Sequence, residues 1–525
     1  MIEIVSRAGY LFITPVPPGL SEELRFWEVV DVIQPFEFRD RETGEMVSAT
    51  RRAGYKGQWS DLLSIQLGVG CCQRGLLRRV VNFLTLSGIS FTYRDDNPLM
   101  PFHFGPDVVA PFHCKDGSFI TMRPEQQRAL LAILCEIGCG QEGAELGNGK
   151  LPPSAGSGGA LISATMATGK TLIIAALCRC FPRAKILITS KKKSVVRRLV
   201  DGLTEYLKPI AHEIGEYHGG KKFERRITVC SEALLDSFDT SQVHVLIHDE
   251  VHNSSGQKIA VAVTSYVSAA KIGFSGTIER HKRLKFIEAM YGPIVDTISD
   301  AEAEELGRVA KVKVYVLKTH KGPDVSGKTE LALERHGVTN NHRRNQLLAE
   351  VCCAIPEDVQ TIIFVRTIEH IDLLIEKYLP PGFVVYHGQL KNKDRERIEK
   401  GLCSGEITRL IANDALSEGV DTTHVRVILE WGWSTTDQSV SQRGGRARRK
   451  AKGKGIGILV TPSDDWEIST PMEGVTKDNP MLDKRRARVS NYSKRGWEVI
   501  KVNDVSEIDF NEVNVEVVED PEEQK

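Results

Sequence analysis

Two kinds of hydrophobic pattern alternate along the middle of the chain. Apolar runs rich in β-branched residues, such as Gly159–Ala164, are typical of buried strands, whereas Leu172–Phe181 has its apolar residues at helical spacing. Further predicted strands are AKILITS, RRITVCS, VHVLIHD and KIGFSGT, followed by a second set, TIIFVR, FVVYHG, TRLIAND, VRVILEW and GIGILVT. Strands that alternate with helices predict two α/β domains, each a doubly wound parallel sheet.

The flanking segments have other patterns. Residues 1–112 mix short strands with one marked helix, Arg74–Gly88, which predicts a small α+β domain. A stretch rich in Gly, Pro and Ser at about 139–159 indicates a flexible insertion. We therefore predict an N-terminal accessory domain (1–112), a first α/β domain (113–308), a second α/β domain (309–465) and a C-terminal extension with an acidic tail (466–525).

Amino-acid composition restricts the cellular compartment and the binding partners that we expect for these domains. The 525 residues carry 69 basic and 69 acidic side chains, so a polyanionic partner must be held by local basic surface. The eleven cysteines form no CxxC pair, which is typical of reduced thiols in a cytosolic protein. No signal peptide and no apolar run of membrane-spanning length is visible, so we expect a cytoplasmic protein without membrane partners.

The segment SATMATGKT, Ser163–Thr171, lies between a predicted strand and a predicted helix. In that context it indicates a phosphate-binding loop: backbone N–H groups face the anion, Lys170 reaches the terminal phosphates, and Thr171 offers its hydroxyl to Mg²⁺. Gly169 stands where the backbone comes closest to the phosphates. Ala164 replaces the first glycine of the usual pattern, which an ordinary strand-end conformation tolerates. A chance match is the alternative.

A second candidate site follows about eighty residues later. The predicted strand VHVLIHD ends in Asp249 and is followed by Glu250, so that two carboxylates stand at its end. Hydrolysis of a phosphoanhydride needs one carboxylate to hold Mg²⁺, the role expected for Asp249, and one to orient the attacking water, the role expected for Glu250.

A basic segment follows the second set of strands. In TTDQSVSQRGGRARR, Gln442, Arg446 and Arg449 share one face of a helix. The arginines are predicted to stabilise the transition-state charge on the γ-phosphate of ATP. A solvated basic helix and a nucleic-acid-binding patch are the alternatives.

In sequence order, nine segments resemble motifs of the superfamily 2 helicases over about residues 119–462. They are MRPEQQ, SATMATGKT, LITSKKKSVVRRL with ITVCSEALL, DEVH, FSGT, IIFVRT, ANDALSEGVD and QRGGRARR. The resemblance implies two RecA-like domains that use ATP and Mg²⁺. It places Arg123 and Gln126 at the adenine, and Ala167, Thr168, Gly169, Lys170, Thr171, Gly419, Asp421 and Gln442 around the nucleotide. His252 is expected to couple this cleft to the QRGGRARR motif by a hydrogen bond.

Segments outside these motifs are similar to the UvsW-like phage helicases, relatives of the XPB and RecG-type remodelling enzymes. Tyr55–Asp96 carries most of this similarity. It implies a DNA helicase in the cytoplasm of a bacterium or a phage-infected host. The work implied is branch migration, fork regression or R-loop unwinding in replication, recombination or repair. The partners would be branched or forked duplex, a single strand in the cleft, and RNA–DNA hybrid.

Nucleic-acid contacts are expected on the backbone, because a motor that read sequence would stall. Ser190 and Lys191 end a predicted strand, and the motif match adds Thr228, Ser231 and Thr367. Arg74, Arg78 and Arg79 are expected to hold duplex, with a solvated basic face as an equal alternative.

Two other functions remain open: a motor subunit of a restriction or defence system, and a regulatory ATPase that clamps nucleic acid without unwinding it. The acidic tail is expected to be a solubilising terminus, with a docking site for a protein partner as the alternative.

Overall fold

The structure is a computed structural model of the 525-residue chain. It describes residues 1–7, 9–39, 46–96, 111–114, 116–137, 158–165, 168–252, 256–276, 278, 283–319, 332, 334–416, 422, 424–432, 443–449, 455–464 and 480–514.

The chain divides into two compact units. Unit 1 comprises Met1–Ala164 and Gly169–Thr297, and unit 2 comprises Thr165–Thr168 and Ile298–Lys525. The N-terminal segment and the first α/β domain therefore form one unit. Unit 2 begins its main segment at Ile298 rather than at residue 309. The division into four domains stays a prediction.

A five-stranded sheet forms the N-terminal part of unit 1. Its strands, in spatial order, are Ser64–Gln66, Val69–Gln73, Tyr10–Thr14, Ile2–Arg7 and Phe91–Asp95. The predicted helix is present as Leu77–Leu86 after the 3₁₀ turn Arg74–Leu76, and its buried face packs on this sheet. A separate antiparallel ribbon, Arg25–Arg39 with Met46–Asp61, leaves the sheet between its second and third strands in sequence.

The eight-stranded sheet of the first α/β domain is parallel from Ile214–His218 to Gly159–Ala164. Its spatial order is Lys221–Phe223, Ile214–His218, Ile227–Ser231, Ile186–Ser190, Val245–Asp249, Ala270–Ser275, Gly159–Ala164 and Ile294–Ile298. The helices around it are Pro124–Glu136, Lys170–Cys180, Lys193–Tyr206, Gln257–Ser265 and Leu284–Tyr291. All the strands predicted for this domain are present, because strands buried on both faces read as continuous apolar runs.

The seven-stranded sheet of unit 2 is parallel throughout. Its spatial order is Val384–Tyr386, Arg409–Ala412, Thr361–Phe364, Val427–Glu430, Gly457–Pro462, Val312–Leu317 and Glu498–Val502. The helices are Asp300–Glu305, His342–Ala354, Ile368–Lys377, Asn392–Ser404 and Pro480–Lys494. The last strand comes from the predicted C-terminal extension, which therefore completes the sheet.

The described residues also form several short elements. They are the helix Leu20–Glu23, the strand pair Phe112–His113 with Phe119–Ile120, the π-helical turn Arg335–Thr339, and the 3₁₀ turns Lys208–Glu213, Glu232–Ser237, Asp414–Leu416, Val505–Glu507 and Phe510–Asn514. Within the described residues, no helix is both long and apolar enough to cross a membrane. The two α/β domains confirm the predicted fold class.

Candidate nucleotide and nucleic-acid sites

The phosphate loop begins and ends as the sequence predicts. Ala164 is the last residue of its strand, and Gly169 precedes the helix Lys170–Cys180 with a φ of 78°. Only glycine adopts this conformation without strain. A Cβ at Gly169 would also lie 2.4 Å from Gln126 Nε2 and 3.1 Å from Arg123 Nη2. The loop therefore needs glycine here for two reasons. Ala167 lies outside the described residues.

Arg123 and Gln126 meet the loop because of a helix start. Pro124 opens the helix Pro124–Glu136, and the Arg123 main-chain N–H donates to Gln126 Oε1 over 3.0 Å. This bond turns the buried Gln126 side chain back toward Gly169. Both residues of the predicted adenine-binding element thus lie beside the phosphate loop.

Lys170 and the two carboxylates at the end of the strand Val245–Asp249, Asp249 and Glu250, form one charged cluster in unit 1. Lys170 Nζ lies 3.2 Å from Glu250 Oε1. Burial works against the ammonium ion, but the charges of Glu250 and Asp249 outweigh it and raise the pKa of Lys170. Burial works against the Glu250 carboxylate as well, and Lys170 and His252 outweigh it, so its pKa is lowered. The pKa of Asp249 is raised by burial and by the charge of Glu250.

Glu250 has an uncommon backbone. Its φ is 59°, in the left-handed region that side chains rarely enter. Such a conformation costs about 1–3 kcal/mol and persists only where its surroundings hold it. Here it directs Glu250 to both Lys170 and His252, whose Nδ1 lies 3.2 Å from Glu250 Oε2.

His252 links the DEVH segment to the end of the neighbouring strand. Its Nδ1 is 2.8 Å from the Ser275 hydroxyl, and Ser275 belongs to the FSGT motif. The described hydrogen-bond partners of His252 are thus Ser275 and Glu250. Coupling of His252 to the QRGGRARR motif stays a prediction, and Gln442 lies outside the described residues.

Two of the predicted site residues carry oxygen donors that fit a hard divalent cation. The Thr171 hydroxyl and the Asp249 carboxylate offer oxygen, which Mg²⁺ prefers. Asp249 is 9% exposed and burial penalises its charge, a cost that a bound cation would offset. Across the described ranges, no group of three or more His, Cys, Asp or Glu side chains could hold a metal. A Mg²⁺ ion here would share its remaining ligands with phosphate and water.

The arginines of the QRGGRARR motif lie in unit 2, where residues 443–447 are helical. Arg446 is buried and donates to the Leu416 carbonyl, and Arg449 pairs through its backbone with Val309. Arg443 is buried between the carboxylates of Glu430 and Asp414. Gly419 and Asp421 lie outside the described residues, so the complete predicted nucleotide set stays a prediction.

Two family models match the regions that contain these residues. Residues 119–280 match the model described as type III restriction enzyme, res subunit, and residues 343–451 match the helicase conserved C-terminal domain. The first region includes Lys170 and Glu250, and the second includes Arg446 and Arg449. The chain belongs to the superfamily 2 helicases. Members of this family hydrolyse ATP and act on nucleic acids.

Other proteins are similar to this helicase over parts of their length. The uncharacterized ATP-dependent helicase YprA of Bacillus subtilis (strain 168) is 29% identical over 214 residues, 36% of this chain and 28% of that protein. The chain spans about a quarter of the length of the curated relatives it matches. The DUF1998 helicase MrfA bound to DNA has a TM-score of 0.50 and 17% identity, over 78% of this chain and 55% of that one.

T4 UvsW is similar over 96% of this chain and 99% of its own, with a TM-score of 0.41 and 16% identity. The likeness of the helicase to MrfA shows the fold, and neither structure assigns a substrate to this chain.

The residues expected to contact nucleic acid differ in their exposure to solvent and in the hydrogen bonds that their side chains already make. Ser190 is buried at the end of its strand, and Lys191 next to it is exposed. The Thr228 hydroxyl is buried and bonds both the N–H and the carbonyl of Arg225. Thr367 caps the helix Ile368–Lys377 by accepting from the His370 N–H. Ser231 is half-buried before a 3₁₀ turn. Their contacts with nucleic acid stay predictions.

Arg74, Arg78 and Arg79 lie within unit 1 against other parts of the helicase. Arg74 is buried, so a fully solvated face does not describe it. Arg78 lies 3.0 Å from the buried Glu136, and Arg79 pairs with the buried Glu288. These ion pairs attach the N-terminal helix to the first α/β domain, a role that the sequence did not predict. A duplex contact by the same arginines stays a prediction.

Proposed function

We propose that this protein is an ATP-driven DNA translocase and helicase that remodels branched DNA, by branch migration, fork regression or R-loop unwinding. The observation that carries the ATPase part is the cluster of Lys170, Glu250 and His252 beside the phosphate loop. A protein that only switches on nucleotide binding does not need a carboxylate that orients water. The strained backbone of Glu250 and its pairing with Lys170 and His252 therefore disfavour a regulatory clamp.

The residues of unit 1 have distinct roles in this proposal. Lys170 neutralises charge on the terminal phosphates, and Gly169 lets the backbone approach them. Glu250, held ionised by Lys170 and His252, orients the attacking water. Thr171 and Asp249 would hold Mg²⁺, whose charge stabilises the phosphates during transfer. From unit 2, Arg446 and Arg449 would add positive charge as the transition state forms.

The N-terminal part supports the remodelling activity. The five-stranded sheet packs on the first α/β domain, where a Cβ at Gly75 would lie 2.2 Å from the Glu288 carbonyl. An element attached this closely moves with the domain that binds ATP. It can therefore press on a DNA junction while the motor translocates, as a wedge must.

A motor subunit of a restriction or defence system is the second candidate. It is favoured by the match of residues 119–280 to the type III restriction family model. Such a motor would translocate along duplex DNA without exchanging strands.

An assay on labelled forks, four-way junctions, R-loops and linear duplexes carrying a bound triplex strand separates these functions. We expect ATP-dependent conversion of at least one branched substrate, with Glu250→Gln inactive on all of them. Triplex displacement without conversion of any branched substrate would favour the restriction-type motor. ATP hydrolysis with neither activity would overturn the remodelling proposal in favour of a clamp.

A further inference from the structure

One buried carboxylate in unit 2 contacts three segments that are far apart in the sequence. Asp300, the first residue of the helix Asp300–Glu305, is 9% exposed. Its Oδ1 accepts hydrogen bonds from the Thr165 hydroxyl and from Arg448, and its Oδ2 accepts one from Arg495 over 3.0 Å. Thr165 begins the phosphate-loop segment that belongs to unit 2, and Arg448 lies between Arg446 and Arg449.

We propose that Asp300 is a positioning residue for ATP hydrolysis, because the same carboxylate fixes the start of the phosphate loop and the backbone that presents the motif arginines. The inference rests on the proposed role of Arg446 and Arg449 in hydrolysis.

Arg448 is held at several points. Its Nη2 donates to the Asp300 carbonyl over 3.0 Å, and its own carbonyl accepts from the Ala310 N–H over 2.7 Å. The Trp497 ring lies 5.7 Å from its guanidinium carbon. Side chain and backbone of Arg448 are thus both held, next to Arg449 and two residues after Arg446.

Thr165 is fixed in the same way. Its main-chain N–H donates to the Ile298 carbonyl over 3.1 Å, two residues before Asp300, and its hydroxyl donates to Asp300. A change in the position of Asp300 therefore reaches Thr165 through both backbone and side chain. The phosphate loop continues from this residue to Gly169 and Lys170.

The charge of Asp300 is required by its surroundings. Burial disfavours the carboxylate, but Arg448 and Arg495 outweigh this and hold its pKa below the usual value. Arg448 and Arg495 are 3% and 6% exposed, so neutralising Asp300 would remove the anion that these two buried cations share and leave Arg448 its longer contact of 3.5 Å with Glu304. Asparagine, which has nearly the same shape, would keep the volume and remove the charge.

A matched ion pair serves as a control for stability. Asp464 and Arg344 form an equally buried pair in unit 2, with 2.9 Å between Asp464 Oδ1 and Arg344 Nε. Neither has been assigned to the nucleotide site. Asp464→Asn therefore removes a buried anion from the same unit without touching Thr165 or Arg448.

The test compares Asp300→Asn and Asp464→Asn in the full chain, by ATP turnover at saturating ATP and forked DNA, by KM for ATP, and by thermal unfolding. We expect both variants to lose thermal stability. Only Asp300→Asn should lose turnover, by about 10–100-fold, as for a lost charged hydrogen bond, with KM changed by less than about threefold. A turnover within twofold of wild type, or a loss equal to that of Asp464→Asn, would overturn the inference.

Milder variants apply if Asp300→Asn does not fold. Thr165→Val removes one donor and Arg495→Met another, and Arg495→Lys should restore most of the turnover lost in Arg495→Met. Wild-type turnover in both Thr165→Val and Arg495→Met would overturn the inference. An Arg446→Ala variant is measured in parallel. If Arg446→Ala is also fully active, the proposed role of the motif arginines is wrong. If Arg446→Ala loses turnover while Asp300→Asn stays active, only the positioning role of Asp300 is wrong.

Discussion

The ammonium group of Lys170 lies 3.2 Å from the carboxylate of Glu250. The phosphate-loop lysine and the acid that we propose to orient the attacking water are thus paired with each other. A γ-phosphate approaching Lys170 would compete for the same ammonium. Nucleotide binding would therefore release Glu250 toward water, while His252 keeps hold of its other oxygen.

This arrangement predicts different defects for the two members of the pair. Lys170→Ala should lose ATP binding, because a lysine that neutralises phosphate is replaced by a methyl group. Glu250→Gln should bind ATP and fail to turn it over. Binding of a fluorescent ATP analogue and release of phosphate measure the two steps. Normal hydrolysis in both variants would remove the assignment of this site.

The packing of the N-terminal part on the first α/β domain can be tested at Gly75. A Cβ there would lie 2.2 Å from the Glu288 carbonyl and 2.5 Å from that of Ala289. Gly75→Ala must therefore displace backbone, at a cost of about 1–3 kcal/mol. Gly219→Ala is the control, since a Cβ there meets nothing within 4 Å. Urea unfolding measures the difference in stability between the two variants. Equal stabilities would show that Gly75 is not tightly packed against the first α/β domain.

His370 predicts a pH dependence for unit 2. Burial, with a smaller contribution from the charge of Arg344, lowers the pKa of His370 to about 3. Its ordinary value is about 6.5, so the unfolded chain takes up the proton first as the pH falls. Stability is complete above about pH 6.5 and declines toward pH 3, with a loss of about 2 kcal/mol between pH 7 and 5.

Urea unfolding at a series of pH values checks this. His370→Gln should remove most of that loss, because glutamine can keep an N–H donor toward Asn345, the present partner at 3.1 Å, and takes up no proton. His212→Gln is the matched control, since the His212 side chain is 76% exposed. A wild-type pH profile in His370→Gln would contradict the prediction.

Much of the fold could be predicted from local sequence patterns, but the contacts between distant segments could not. Most strands of the two α/β sheets were predicted, because parallel strands are apolar on both faces. The strands that were not predicted include Ile214–His218, Lys221–Phe223, Ile294–Ile298 and Val312–Leu317. Glu498–Val502 was also missed: it is an edge strand in which only Val502 is buried, and its EVIKV pattern carries two charges.

The candidate site shows the same limit. Lys170, Asp249 and Glu250 could be found from motifs that each lie within a few residues. The partner of Glu136 is Arg78, and the partners of Asp300 are Thr165, Arg448 and Arg495. Such pairs lie far apart in sequence, and no local pattern specifies them. A basic cluster such as Arg74–Arg79 looks solvated in the sequence for the same reason.

We propose that Arg446 and Arg449 stabilise the transition state of ATP hydrolysis. Arg446 already donates to the Leu416 carbonyl, so its side chain is ordered within unit 2. The most direct measurement is ATP turnover of Arg446→Ala and Arg449→Ala at saturating DNA, alongside DNA affinity over a salt series. We expect turnover to fall by about 10³–10⁵-fold, with ATP affinity changed far less. Unchanged turnover with a flatter salt dependence of DNA binding would contradict the claim and make QRGGRARR a nucleic-acid-binding patch.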